Sequence, residues 1–526
     1  AAKLATELPD KCVLVVEGGK DSGQILSKAA DTPTSHNEFF ENDTTNWKII
    51  RESGVTVFNT PGAYDHGDFV CWGQECSYAW GKDETGTPLG LIAGKVVGGS
   101  GAINGALMQY PPDRNWDAYP EGWKAADMKP YLDEIHIKMN ATSTPSTDGL
   151  HYNDERGPNI VKKALKEHLH FVEGEDAAYW KPIAGTMGIP KVTTSGGRRA
   201  SSTSVYLKPA LENSNIEILA QTDVKRINFD ESRSKATSLT VAQDAQHIGS
   251  GKIHLEIKLA DDGLLVISGG GVKTPQLLLE SGVGPGLTID NDFVGKDLTD
   301  KSIAMYNFNV PGIVAYNITH PPEQDARDFI NEGKGPLTQY APLLVGMIEV
   351  SNDQDDTPNI VEFFVSSAKS NGTVTVNFVH LTPKKHETNG AKIFLNETSG
   401  LVEASGEQRN STFSENATKE AFEKVESAMK ESGYNKTDEN WRNPGGEWVY
   451  NMNHPAGTCA LDKCIDSATL LVHGLNNVAV CDHSIVPGQA IVHSAFALMA
   501  IALRGSDILK EFWNGGETLS PDHDEL

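Results

Sequence analysis

Apolar residues along this chain fall into short runs and alternations, and glycine or proline closes almost every run. Residues 12–16 (CVLVV) stand between a Pro9-Asp10 turn and Glu17-Gly18-Gly19, which predicts a buried strand preceded by a short helix. A second run, 264–270 (LLVISGG), passes directly into VKTPQLLLESGVGPG and predicts a strand followed by an apolar helix that Pro275 opens and Gly282 closes. Residues 115–138 read as a tryptophan-bearing helix and 140–160 as a polar, turn-rich crossing. Residues 201–211 (SSTSVYLKPAL) read as a helix leading into a strand pair, 216–219 and 224–229. From 300 to 400 the alternation has period two (SIAMYNFNV, PLLVGMIEV, IVEFFV, TVTVNFVHL), with Asp and Asn between, which predicts a mostly antiparallel sheet. Residues 404–440 are acidic and helical and read as a solvated surface. The stretch 453–509 joins a His-Pro-Ala-Gly-Thr turn, a strand at 477–481 ending on Asp482, and a long apolar helix (AFALMAIALRGSDIL).

A chain of 526 residues exceeds the usual size of a single core, so a composite of domains is expected and a small binding module is excluded. Its 45 basic against 71 acidic residues leave a formal net charge of −26, which repels phosphate backbones, so nucleic acid is not an expected partner. No uncharged apolar run approaches the roughly 18 residues of a membrane span. The six cysteines include no C-x2-C knuckle, and no metal site is expected. Two C-x4-C spacings predict Cys71–Cys76 and Cys459–Cys464 bridges, whereas Cys12 and Cys481 lie in apolar strand-like runs and are expected to be buried free thiols. Eight N-x-S/T sequons, at Asn42, Asn140, Asn317, Asn371, Asn396, Asn410, Asn416 and Asn435, together with a terminal His-Asp-Glu-Leu, predict N-linked glycans. They also predict a secretory route ending in the endoplasmic reticulum lumen or outside the cell.

The apolar strand ending in Glu17 has the form of the second strand of a Rossmann unit, whose terminal acid hydrogen-bonds the ribose of a dinucleotide. The strand and G-x-G-x-x-G turn that precede such a strand are not in this sequence, so about 30 further residues are expected upstream and the chain is expected to be a truncated or processed form. Glycines at 94, 98, 99, 101 and 105, with small neighbours and Asn104, allow a backbone to lie against a flat or phosphorylated ligand.

In order along the chain, these blocks resemble the glucose-methanol-choline (GMC) family of FAD oxidoreductases over essentially the whole length. The stretch Gly94-Lys95-Val96-Val97-Gly98-Gly99-Ser100-Gly101-Ala102-Ile103-Asn104 resembles the family's first signature, and 273–284 the second, with Gly271 standing where a slightly larger residue is usual. The Gly197-Arg198-Arg199 stretch with the later Val224 resembles the adenine-binding region. The stretches 453–459 and 482–493 resemble the C-terminal signature. The resemblance implies an α/β (α+β composite) fold: a Rossmann-like FAD domain from 1–110, 195–290 and 450–526, and an antiparallel-sheet substrate domain from 111–194 and 291–449. It implies FAD contacts at Glu17, Lys95, Val97, Gly98, Gly99, Ser100, Asn104, Gly105, Ala106, Val224, Asp482 and His483. Catalysis falls to His454 as base and His493 as positioner. The implied reaction is oxidation of an alcohol or sugar, with oxygen, a quinone or a redox protein as acceptor. INGALMQYPPD and STPSTDGLHY are similar to the flavoprotein part of cellobiose dehydrogenase, although His493 stands where those proteins have Asn and glucose oxidase has His. Two other readings are a hydroxynitrile-type lyase of the same fold and a non-enzymatic glycoprotein that retains the scaffold.

Overall fold

The computed structural model describes residues 1–19, 97–102, 104, 106–152, 157–174, 183–213, 215–244, 252–313, 316, 321–338, 343–351, 359–365, 372–381, 391–398, 400, 402–405, 412–437, 449–451, 454–488 and 493–514. The apolar runs form two parallel strand pairs. Val13–Val16 pairs with Ile216–Leu219, and Leu265–Ile267 with Val478–Val480. In each pair the carboxyl ends lie together, the place where open parallel sheets bind ligands. Glu17 follows the first of these strands, Gly269 and Gly270 the third, and Asp482 the fourth.

The strand pair expected at 216–229 is two strands of different sheets. Gln221 adopts φ 55° and breaks the run. The strand Thr222–Phe229 then joins Ala236–Asp244 and Lys252–Lys258 in a separate antiparallel sheet. The helix Gly270–Glu280 also begins earlier than its proline suggested, so Pro275 lies inside it. The helix expected over 115–138 is divided, with a 3-10 turn at Asp113–Trp116 and the helix proper at Ala125–Met139.

The alternating block builds a seven-stranded sheet in the order Val449–Asn451, Ser302–Asn309, Thr373–His380, Asn359–Val365, Leu344–Val350, Thr186–Gly188, Val172–Glu173. Every neighbouring pair is antiparallel except the last. Period two gives the sheet two faces with different partners. Val361, Phe363, Val365, Val374, Val376, Phe378, Tyr306 and Phe308 lie on one face. They are covered by the helix Thr412–Glu431 through Ala417, Ala421, Phe422, Val425, Ala428 and Met429. The acidic segment read as a solvated surface therefore has one face in the core: three- and four-residue spacings place these apolar residues on a single stripe, and the charges occupy the other side. Ile360, Phe364, Val379, Val345 and Met347 form the opposite face and meet Leu107.

Cys459 and Cys464 form the expected disulfide, and Cys71 and Cys76 lie outside the described residues. Cys12 is a free thiol but exposed, against expectation, because it precedes the strand instead of lying within it. Cys481 is a free, half-buried thiol, and desolvation followed by the charge of Asp482 pushes it up to about 12. Among the described residues no helix is long and apolar enough to cross a membrane, and no group of three or more His, Cys, Asp or Glu is arranged to hold a metal ion.

Candidate active site

The glycine block is shaped by what lies behind it. Gly98 and Gly99 have φ of 102° and 56°. A Cβ on Gly98 would fall 2.1 Å from Thr203 Oγ1, so the position admits glycine alone, whereas one on Gly99 would meet nothing within 4 Å. Val97 is buried, its carbonyl in reach of Thr203 Oγ1, and Ser100 is exposed in the 3-10 turn Gly99–Ala102. The Asn104 side-chain oxygen and its backbone carbonyl shape the loop. Its Oδ1 accepts from the Ala106 amide (2.9 Å) and Arg199 Nη1 (2.7 Å), while Arg199 Nη2 donates to the Asn104 carbonyl (2.5 Å). Arg199 is buried; in sequence it belongs to the stretch resembling the adenine-binding region, which does not foretell its bonds to Asn104. Ala106 carries φ 54° at the end of this loop. Lys95 and Gly105 lie outside the described residues. Glu17 ends its parallel strand with Oε1 accepting from the Gly19 amide (2.7 Å), and Val224 is half-buried in the adjoining antiparallel sheet.

Asp482 caps the helix Gly270–Glu280. One carboxylate oxygen accepts from the Gly270 amide (2.8 Å) and Thr274 Oγ1 (2.5 Å), the other from the Ser484 amide (2.7 Å) and hydroxyl (2.6 Å). Its side chain thus ties the start of that helix to the turn at His483–Ile485. The same helix is locked to the histidine turn. Pro275 has no N–H for the Gly271 carbonyl, and Thr458 Oγ1 supplies the missing donor at 2.6 Å. Gly271 makes this approach possible, since a Cβ there would lie 2.1 Å from the Pro455 carbonyl oxygen.

The two histidines come together. The rings of His454 and His493 have centroids 5.8 Å apart and planes at 82°. The His454 amide donates to Asp300 Oδ1 (2.9 Å), and the Thr299–Ala456 bridge fastens the turn to the start of the large sheet. His454 is held well below the ordinary imidazole range, first by burial, then by His493, His483 and Lys301. Its Nδ1 has no hydrogen-bond partner among the described residues. His493 is the residue preceding the helix Ser494–Trp513; its amide donates to Gln109 Oε1 (3.0 Å) and its Nε2 lies 3.2 Å from Glu362 Oε2. Gln109 Nε2 donates to Glu362 Oε1 (2.5 Å), which closes a ring of three residues, and Phe364 meets the His493 ring edge-on at 6.0 Å. Glu362 is fully buried. Sequence reasoning passed over Glu362, Gln109, Asp300 and Lys301; the visible signal was a lone carboxylate inside the apolar strand NIVEFFV.

His483 is buried and pushed down to about 3 by desolvation and then by Lys301, and its Nε2 has no partner among the described residues. Open backbone at Gly99 and Gly270, an acid at the end of a parallel strand, and imidazoles with buried unpartnered nitrogens fit a flavin dinucleotide, which Gly99, Gly270 and Glu17 would hold.

Residues 48–303 and 365–502 match the N-terminal and C-terminal models of the GMC oxidoreductases, which together take in most of the chain. The oxygen-dependent choline dehydrogenase of Staphylococcus xylosus is 25% identical over 502 residues, covering 83% of this chain and 84% of that one. The alcohol dehydrogenase [acceptor] of Pseudomonas putida is 24% identical over 79% of this chain and 81% of that one. Among solved structures, formate oxidase of Aspergillus oryzae superposes with a TM-score of 0.69 at 17% identity, covering 98% of this chain and 96% of that one. On these matches the chain belongs to the GMC oxidoreductase family, and its cofactor is FAD.

Proposed function

We propose that the chain oxidises the CH–OH group of an alcohol or sugar, with His454 as the base toward the substrate hydroxyl and His493 as its positioner. The observation that carries this reading is a half-buried His454 whose Nδ1 is buried and unpartnered, its ring set 5.8 Å from that of His493 at the ends of two independently anchored segments. FAD, when bound, supplies the acceptor for the two electrons that leave with the C–H bond. His454 stays neutral at neutral pH because burial opposes its charging, so a ring lone pair is available for the hydroxyl proton. Glu362 Oε2, 3.2 Å from Nε2 of His493, is placed to orient that ring. Gln109 ties both to the chain that leaves the glycine loop. The names of the relatives, an oxygen-dependent choline dehydrogenase and an alcohol dehydrogenase, support a small hydroxyl-bearing substrate. Oxygen, a quinone or a redox protein would then reoxidise the enzyme.

The test is anaerobic mixing of the flavin-loaded protein with a panel of alcohols and sugars, cellobiose and choline among them. Bleaching of the flavin absorbance by a donor is expected, and His454→Ala should slow it roughly 10²-fold or more. Flavin that stays oxidised with every donor while a hydroxynitrile is cleaved would move the assignment to a lyase. Passage through the secretory pathway is supported by the exposure of Asn140, Asn416 and Asn435, three of the sequon asparagines. A mass loss on glycosidase treatment of the native protein checks it.

A further inference from the structure

Gln109 is a glutamine inside the protein, only 1% exposed, where the chain leaving the glycine loop passes between the large sheet and the helix Ser494–Trp513. Its neighbours fix the main chain on both sides. Leu107 bridges to Val192 and packs with Val345 and Met347 on the sheet, and the Met108 amide donates to the Lys191 carbonyl (3.0 Å). Tyr110 meets Phe496, in the first turn of the last helix, edge-on at 5.6 Å. The Gln109 side chain then bonds two separate elements: its Oε1 accepts from the His493 amide (3.0 Å), and its Nε2 donates to Glu362 Oε1 (2.5 Å). A backbone N–H can only donate, so the side-chain amide has one orientation and its NH2 group must face Glu362. Glu362 is wholly buried on the strand Asn359–Val365, and with Oε1 taken by Gln109 its Oε2 comes 3.2 Å from His493 Nε2. These last two atoms are close without being aligned as a hydrogen bond, so it is the place of the carboxylate that meets the ring.

We infer that Gln109 is a positioning residue: its one amide fixes the start of the last helix and the Glu362 carboxylate relative to each other, and through both the place of the His493 ring. The inference rests on the reading of His493 as the positioner beside the base. The task requires an acceptor and a donor on one planar group. An apolar side chain of the same length leaves a buried carboxylate oxygen without its donor, and a second carboxylate sets two acceptors against each other at 2.5 Å. A neutral carboxylic acid meets the requirement, since its carbonyl accepts and its hydroxyl donates. The titratable groups that Gln109 meets are Glu362 from the sheet and, through its backbone, His493 from the last helix. An acid at position 109 would therefore share one proton with Glu362, because like charges so close do not both ionise.

The experiment compares flavin-loaded wild type, Gln109→Met and Gln109→Glu. It reads anaerobic flavin reduction across pH with the fastest donor of the alcohol and sugar panel, and the ring resonances of labelled histidine, His493 being assigned by its loss in His493→Ala. In Gln109→Met the limiting rate should fall about tenfold, the order of one buried hydrogen bond, and the His493 resonances should shift. Gln109→Glu should work at near the wild-type rate at acid pH and fall toward the Met rate as pH rises, through an alkaline limb that the wild type lacks. The His493 resonances should move over the same range and return on acidification, which a merely structural glutamine would not produce. A Gln109→Glu profile parallel to the wild type overturns the inference, as does Gln109→Met with wild-type rate and resonances. If Gln109→Met does not fold, Gln109→Glu, whose neutral acid supplies both bonds, is read alone by the same criterion, and its failure to fold at acid pH also overturns the inference. If no hydroxyl donor reduces the flavin, the proposed reaction is refuted, and the His493 resonances still decide the role of Gln109.

Discussion

Replacing His380 with glutamine should make the fold less sensitive to acid by a predictable amount. His380 is buried on the strand Thr373–His380, its Nε2 2.5 Å from Asn359 Oδ1, and it is pushed down to about 4 by desolvation, then by Lys301 and Arg114. In the unfolded chain the ring titrates near the ordinary 6.5. Between those values the unfolded state binds a proton that the folded state refuses, so stability falls as pH drops through 6.5 and levels off below about 4. Between pH 7 and pH 5 this one ring costs about 2 kcal/mol. For a chain of this length the unfolding entropy is about 1 kcal/mol per degree, so the cost appears as a loss of about 2 °C in thermal midpoint. Glutamine preserves a donor toward Asn359 and does not titrate. The assay is the midpoint of the flavin-loaded protein at pH 7 and pH 5, for wild type and His380→Gln. The wild type should lose about 2 °C more than the variant. The general relaxation of the net charge of −26 on acidification is common to both and cancels. Equal losses would show that His380 is either accessible to a proton in the folded state or already neutral in the unfolded one, and would refute the reasoning.

Two further substitutions probe packing. Gly271→Ala places a Cβ about where the Pro455 carbonyl stands, and because backbone must give way, it should cost about 1–3 kcal/mol of stability. It should also slow flavin reduction by displacing the His454 turn; stopped-flow rates and thermal midpoints read both, and an unchanged rate would detach that turn from the chemistry. Phe422→Ala removes a ring stacked at 3.6 Å on Tyr306 and should cost about 3–5 kcal/mol in denaturant unfolding, whereas a loss below about 1 kcal/mol would mean that the helix Thr412–Glu431 lies loosely on the sheet.

The elements that were legible in the sequence are those whose signal is local. The run at 12–16 ends in Glu17 because a strand closes there, and the alternation of 300–400 is visible because each strand of the large sheet has two differently packed faces. The acidic helix was misread because its charges are numerous, although the spacing of Ala417, Ala421, Val425 and Ala428 already describes a buried stripe.

Partners were the illegible part, since they are set by segments far apart in the chain. Glu362 occupies the position of IVEFFV opposite to Val361 and Phe363, where an antiparallel sheet commonly meets water. Its face, shared with Ile360 and Phe364, is covered instead by Leu107, and its carboxylate is met by Gln109, 253 residues away in sequence, and His493. Lys301 has the same ambiguity: a lysine at the start of a strand is ordinarily a solvated end, yet here it is only 5% exposed. Gly271 likewise reads as one more small residue in a glycine-rich turn. Its necessity comes from Pro275, which deprives its carbonyl of a donor, and from Thr458, 187 residues on, which supplies one. The His454 turn is therefore seated by three bonds that no window of sequence contains: the Asp300 carboxylate on its amide, the Thr299 backbone on Ala456, and the Thr458 hydroxyl on Gly271. A turn held at both ends in this way fixes the ring that the proposed base role requires, and its surroundings, more than its own identity, set that geometry.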